Sequence, residues 1–518
     1  MNSTTTFTTT MASAIPIDLQ LPHIVAGTRH LSYYVAIATV LCVAWLCQSK
    51  KQKQIDVPFY KAAKTKWLFG AEGLVLDSYN KFRDRVYQIK ATEGVQVLVP
   101  SKFLSELKSL PEDVLSSQEA VSEAMLSKYT KFCLGHNAEM LSALVRCRLS
   151  QNLARLVPQL KGELESIVAT EFPECQDWTP VKFQPFALRA IARISGRAFV
   201  GPDINRQEQW MDTSINFAIH VFIAVVKLQF FPEWARPVAQ HLVSELRQIR
   251  KDIDIATDML QPVIEERLRD MKMPSYKEGP DDLIQWLAEA LPEDEKTDYR
   301  AQAHVQLILA AASIHTTNNL VTDCIYDLAA HPEVQDMLRD EARQVLEVEE
   351  GWTRKESMAK LKKLDSFMKE TQRLAGNITG FIRKAVKPIT LSDGTYLPAG
   401  TKLLAPQAGI SHDERFFSDP ETFDALRFYK MRQMSEEEGH RWQFTSIGDT
   451  NVNFGAGKHS CPGRFFAGNE IKMVLAYFLL NYDIRLKEGE SRPKPMMMVM
   501  SKAPDPNAEV LFKRREVV

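Results

Sequence analysis

The sequence predicts a mainly α-helical protein with a small β region, preceded by one membrane-spanning helix. Three observations carry that expectation. Apolar residues recur at helical spacing through 72–92, 136–156 and long parts of 206–270, and 296–330 reads as one long helix. Alternating, turn-bounded stretches are few and short. One uncharged segment near the amino terminus has about the length needed to span a bilayer.

That segment is 31–47, LSYYVAIATVLCVAWLC. Tyr33 and Tyr34 sit near one end and Trp45 near the other, as interfacial aromatics do. Lys50, Lys51 and Lys53 follow at once, whereas Arg29 is the sole Lys or Arg among the preceding thirty residues. The positive-inside rule then places the carboxy-terminal body in the cytosol. A cleaved signal peptide would begin with basic residues, and MNSTTTFTTT has none. A buried core helix is the other alternative. The expected division is a short lumenal stretch (1–30), an anchor (31–47), a basic linker (48–60) and one large body (61–518).

Within the body, GVQVLVP (94–100) alternates like a strand. The long helix of 296–330 stops near His331-Pro332, and another runs over 354–375. Asp393-Gly394 marks a hairpin. After a loop-rich stretch (411–460) a last helix reaches about residue 480, and strand follows. Lys plus Arg is 64 against 65 Asp plus Glu, a net charge of -1, so no basic domain stands ready for a nucleic acid. The seven cysteines are scattered with no C-x-x-C pair, which fits a reducing compartment.

Only the setting of Cys461 is unusual. From Phe454 the chain reads F-x-x-G-x-x-x-C-x-G and runs straight into an apolar helix. Glycines such as Gly457 and Gly463 let backbone turn tightly and lie against a flat macrocycle. The helix N-terminus behind Cys461 offers free N–H groups and a positive dipole end to a thiolate. Phe454 can shield the sulfur, and His459 can reach an acidic substituent. The bland alternative is a buried cysteine in a Gly-rich turn. A structural zinc would need several Cys or His ligands at short spacing.

Two further constellations accompany it. Glu370 and Arg373 lie three apart on one helix face, and Arg427, in PETFDALRF, supplies a second guanidinium. Three such groups, if buried, must satisfy one another. In the long helix, Ala310-Ala311-Ala312-Ser313-Ile314-His315-Thr316-Thr317 combines small residues with hydroxyls. Small side chains let a helix lie against a flat ligand, and a Thr hydroxyl can bond the i−4 carbonyl and open a groove. A hydroxyl with nearby water can also relay protons. Alone, this segment equally suits a helix-packing face with His315 as a core histidine.

Together these segments resemble the cytochrome P-450 superfamily. The cysteine segment resembles its haem-binding loop, with His459 where Arg is usual. Glu370, Arg373 and Arg427 resemble its ExxR helix and PxxFxxxR partner, which implies a structural network. Residues 312–317 resemble its A/G-G-x-D/E-T-T/S motif, with Ser313 for Gly and His315 for the acid, which implies Thr316 and His315 in proton delivery. By position, Arg383 and Arg146 resemble the propionate arginines, although Ser142 stands where a Trp is usual and Arg148 is an alternative to Arg146. RLAGNITGF lacks the proline that commonly follows the ExxR helix.

The resemblance covers about residues 60–515. It implies a triangular helical body around haem b (iron protoporphyrin IX), with Cys461 as axial iron ligand. It implies a monooxygenase using O2 and electrons from NADPH through NADPH-cytochrome reductase, with cytochrome b5 as a second donor. Lys458, Arg464 and Lys472, with Lys360, Lys362 and Lys363, would steer an acidic reductase. The closest resemblance is to fungal secondary-metabolism members such as the ent-kaurene oxidase-like group. A hydrophobic terpenoid or indole-diterpene-like substrate and a single-pass location in the endoplasmic reticulum membrane follow. Two rivals are a haem-thiolate isomerase or dehydratase that uses no O2, and a non-enzymatic haem sensor.

Overall fold

A computed structural model describes residues 55–516, except 92, 93, 350, 353–355 and 500. The anchor expected at 31–47 lies outside the described residues. The long helices are α1 (Ala71–Phe82), α2 (Leu153–Glu171), α3 (Phe183–Asn205), α4 (Glu208–Gln229), α5 (Glu245–Asp270), α6 (Tyr299–Ala330), α7 (Lys362–Ala375) and α8 (Arg464–Asn481). Helix dominates and the sheets are small, as the sequence predicts.

Helix α6 is the axis of the body. Asp298 caps it by accepting the Ala301 N–H at 2.9 Å, satisfying one of the orphan donors of the first turn. It stops at His331, before a proline that cannot continue the ladder. Helices α3, α4, α5, α7 and α8 all pack on it. A helix covered on every side needs apolar residues all round, and α6 buries Ala303, Leu307, Ala310, Ile314, Val321 and Ile325. Helix α4 is also long and apolar enough to cross a membrane. Half of that window is nevertheless buried, with Phe217, Val221, Ala224 and Leu228 facing the core at helical spacing.

Two helix expectations fail. Segment 72–92 breaks at Phe82, and Tyr87–Ala91 becomes a strand whose Tyr87, Ile89 and Ala91 alternate inward. Period two wins there because Gly94–Leu98 supplies a ladder, from Tyr87 opposite Leu98 to Ala91 opposite Gly94. Segment 136–156 is interrupted by a π-helical turn, Val145–Leu149. The extra residue keeps Val145 and Leu149 buried while exposing Arg146, Cys147 and Arg148.

The main sheet contains β1 (Phe59–Tyr60), β2 (Tyr87–Ala91), β3 (Gly94–Leu98), β4 (Leu115–Ser116), β5 (Gly380–Ala385) and β6 (Lys402–Ala405), in the order β1-β2-β3-β6-β5-β4. Asp393-Gly394 turns a two-residue ladder, as expected, with Gly394 at φ 87°. Strand β5 pairs with β6 through a bulge between Gly380 and Arg383, where Phe381 adopts φ 52°. A bulge re-aims the side chains beyond it, and this one turns Arg383 inward.

Candidate active site

The cysteine loop is closed by its own backbone. The Cys461 N–H donates to the Phe454 carbonyl at 2.8 Å, and the Ser460 N–H to that of Gly457 at 3.2 Å. Gly457 has φ 67°, and a Cβ there would meet the Lys108 carbonyl oxygen at 2.5 Å. Glycine is therefore required twice over, for conformation and for space. The Phe454 ring stands edge-on to Phe444 with centroids 5.3 Å apart. Burial pushes the Cys461 thiol up, while the N–H groups of Gly463 and Arg464 bond its sulfur and pull the other way. The residue is nonetheless accessible. The residue thus keeps exposed surface while its thiol group is desolvated.

Basic groups surround this loop without enough carboxylate to match. Arg383 is buried, and its guanidinium donates only to the carbonyls of Ile382 (2.8 Å) and Ala456 (3.3 Å) while lying over the Phe381 ring. Burial lowers it to about 10, partly opposed by the charge of Glu112. His459 Nε2 lies 3.1 Å from Glu112 Oε2. Arg464 donates to the Cys461 carbonyl at 2.9 Å, but its buried Nε has no partner. Arg146 is exposed, lies close enough to oppose the Arg464 charge, and has no carboxylate partner among the described residues. Arg148 instead pairs with Glu289. One thiol and a ring of under-compensated cations fit a flat, dianionic iron porphyrin.

The expected Glu–Arg–Arg network is assembled. Glu370 is fully buried; it accepts from Arg373 at 2.8 and 2.9 Å, from Arg427 at 3.1 Å on both oxygens, and from the Asp424 N–H at 3.0 Å. The remaining guanidinium N–H groups go to the carbonyls of Ser411, Pro420, Ser418, Asp419 and Thr422. From the end of the same helix, Asn377 holds Asn453, one residue before Phe454, through its N–H (2.9 Å) and its Nδ2 (3.2 Å). Gln407 Oε1 accepts the Val452 N–H at 2.7 Å. This amide clamp occupies the turn where the family's proline is missing.

On α6, the Thr316 hydroxyl donates to the carbonyls of Ala312 (2.8 Å) and Ser313 (3.3 Å), the expected i−4 bond. Thr316 and Ala312, one turn apart on α6, are both exposed. His315 points elsewhere. Its Nε2 lies 3.0 Å from the Ile215 carbonyl on α4, a bond it makes as donor, and burial lowers its pKa.

One surface expectation is corrected. Lys472 is buried, pairs with Asp365 at 2.6 Å and donates to the Met358 carbonyl, so it presents no charge for docking. The apolar periodicity of α8 gives no warning, because the acid that draws Lys472 inward lies on α7. Glu112, Asn377, Gln407 and Asn453 also went unread, since their partners are distant in sequence.

A family model described as "Cytochrome P450" matches residues 102–512. The chain is 34% identical over 499 residues to a cytochrome P450 monooxygenase of Emericella nidulans, covering 93% of each chain. It is 34% identical over 509 residues to the monooxygenase braC of Annulohypoxylon truncatum, covering 96% of this chain and 99% of that one. Against an ent-kaurene oxidase of Gibberella intermedia the identity is 31% over 504 residues, covering 94% of each. The chain belongs to the cytochrome P450 family of haem proteins. It is a monooxygenase, an oxidoreductase that incorporates molecular oxygen.

Proposed function

We propose that this protein oxidises a hydrophobic fungal secondary metabolite of terpenoid or indole-diterpene type. Its electrons come from NADPH through NADPH-cytochrome reductase, with cytochrome b5 as a second donor. The observation that carries the reading is the closed Phe454–Cys461 loop at the start of α8, with an exposed cysteine and the under-compensated cations Arg383 and Arg464 beside it. Cys461 would hold the haem iron through its sulfur, Phe454 would shield that sulfur, and Gly457 and Gly463 would let the loop lie close. Arg383, His459 and Arg146 would hold the propionates. Glu370, Arg373 and Arg427 fix the frame that carries the loop. The body sits on the cytosolic face of the endoplasmic reticulum, held by 31–47.

When bound, the haem supplies an iron whose thiolate ligand favours O–O cleavage. The chain's part is to hold the group, exclude water and move protons. Thr316, exposed on α6 one turn from Ala312, passes protons through its hydroxyl. His315 retains only Nδ1 for the same task, since Nε2 is committed to Ile215. Co-expression with the reductase in yeast microsomes, supplied with candidate terpenoids, tests the reading. Product should appear only with NADPH and O2, and Thr316→Ala should cut it by up to about 100-fold while peroxide release rises. Undiminished product from that variant without NADPH or O2 would instead establish an isomerase or dehydratase.

A further inference from the structure

Away from the cysteine loop, one buried acid has no charged partner. Glu470 on α8 is 1% exposed, its Oε2 has no hydrogen-bond partner, and its Oε1 lies 2.8 Å from Ser195 Oγ on α3. Ser195 is fully buried, and its Oγ is 3.1 Å from Ser313 Oγ on α6. The Ser313 carbonyl in turn accepts from Thr316. A chain of three side chains thus runs from α8 through α3 to the helix turn that carries the oxygen-side motif.

We infer that Glu470 is a positioning residue for proton delivery, acting through Ser195 to set the direction of the Ser313 hydroxyl beside Thr316. The inference rests on the monooxygenase reading above. A neutral carboxyl has one proton to give, and among the described residues Ser195 Oγ is the only partner within reach. Ser195, having accepted, gives its single proton to Ser313 Oγ. Ser313 then has its own O–H free at the turn whose carbonyl binds Thr316. Removal of the Glu470 proton reverses the chain: Ser195 donates to the carboxylate and Ser313 to Ser195, so the Ser313 proton is committed to Ser195. No proton crosses the chain in either state; only the hydroxyl directions change.

The environment favours the donating state at neutral pH. Burial raises Glu470 to about 8, opposed only by the Ser195 hydrogen bond. Burial and the Ser195 hydrogen bond are the influences on it among the described residues; Arg193, two residues from Ser195 on α3, is paired with Glu163 at 2.9 Å. The neighbouring Lys472 is held by Asp365. The motif's usual acid is absent at 315, and Glu470 reaches the same turn from a different helix.

The test uses the haem-loaded full chain with its reductase, comparing wild type with Glu470→Gln and Ser195→Ala. The infrared spectrum of the wild type should show a neutral-carboxyl band that vanishes as pH rises through about 8, shifts in Ser195→Ala and is missing in Glu470→Gln. In parallel, the fraction of NADPH lost to peroxide should rise through the same pH in the wild type. It should change less than twofold with pH in Glu470→Gln, which keeps one fixed donor direction, and be high at every pH in Ser195→Ala. An absent band, or a pH step that survives in Glu470→Gln, overturns the inference. A reduced carbon-monoxide spectrum of thiolate type in all three proteins keeps the monooxygenase reading intact in either case; its absence in the wild type would fail that reading instead.

Discussion

In the Glu370–Arg373–Arg427 frame, the charges answer one another: every oxygen of Glu370 is bonded, and Arg373 and Arg427 spend their remaining donors on carbonyls. Along α6 the opposite holds. Gln302 Oε1, His304 Nε2, both side-chain polar atoms of Gln306, and Asn318 Nδ2 are buried with no hydrogen-bond partner among the described residues. Buried polar groups are normally paired, so a helix carrying several orphans is an exception that asks for a role. The contrast separates a saturated frame from a helix whose buried polar atoms are left unsatisfied.

The sharpest way to break the contrast is Glu370→Ala. It leaves two guanidiniums buried without their carboxylate and should destabilise the body by about 3–5 kcal/mol, read as a fall in denaturant midpoint. A loss within experimental error would mean that the network is not a frame. Acid titration probes the other side. Burial holds His304 at about 4, with the Arg300 charge adding to the effect, while the unfolded chain protonates near 6.5. Its contribution is therefore complete above 6.5 and lost as pH falls toward 4, by at most about 3 kcal/mol. The melting temperature of His304→Gln should drop less than that of the wild type between about pH 7 and about pH 5. Smallest is Gly457→Ala, where φ 67° and the Lys108 carbonyl both resist a Cβ. About 2 kcal/mol of strain is expected, with faster haem loss as the sign that it is felt at the loop.

The same contrast explains what could be read from the sequence. The fixed side is encoded by close spacing: F-x-x-G-x-x-x-C-x-G is one loop, and Glu370 and Arg373 share one helix face, so both were visible before any coordinates. The long α6 helix was equally plain as an unbroken run ending near His331-Pro332. What failed depended on partners far along the chain. Tyr87–Ala91 reads as helix until β3 offers a ladder, and the π turn at Val145–Leu149 leaves no period of its own. His315 looked like a proton carrier by motif, but Ile215, one hundred residues earlier, takes one of its two nitrogens. The chain from Glu470 to Ser313 joins three helices and has no signature in any one of them.

Whether a sulfur anion holds iron is the question on which both halves depend. The most direct measurement is the carbon-monoxide difference spectrum of the reduced, haem-loaded protein beside Cys461→Ser. The account predicts the red-shifted Soret band of a thiolate-ligated haem in the wild type and its complete loss in the variant. An imidazole-like band, or a wild-type spectrum unchanged by the substitution, would contradict it.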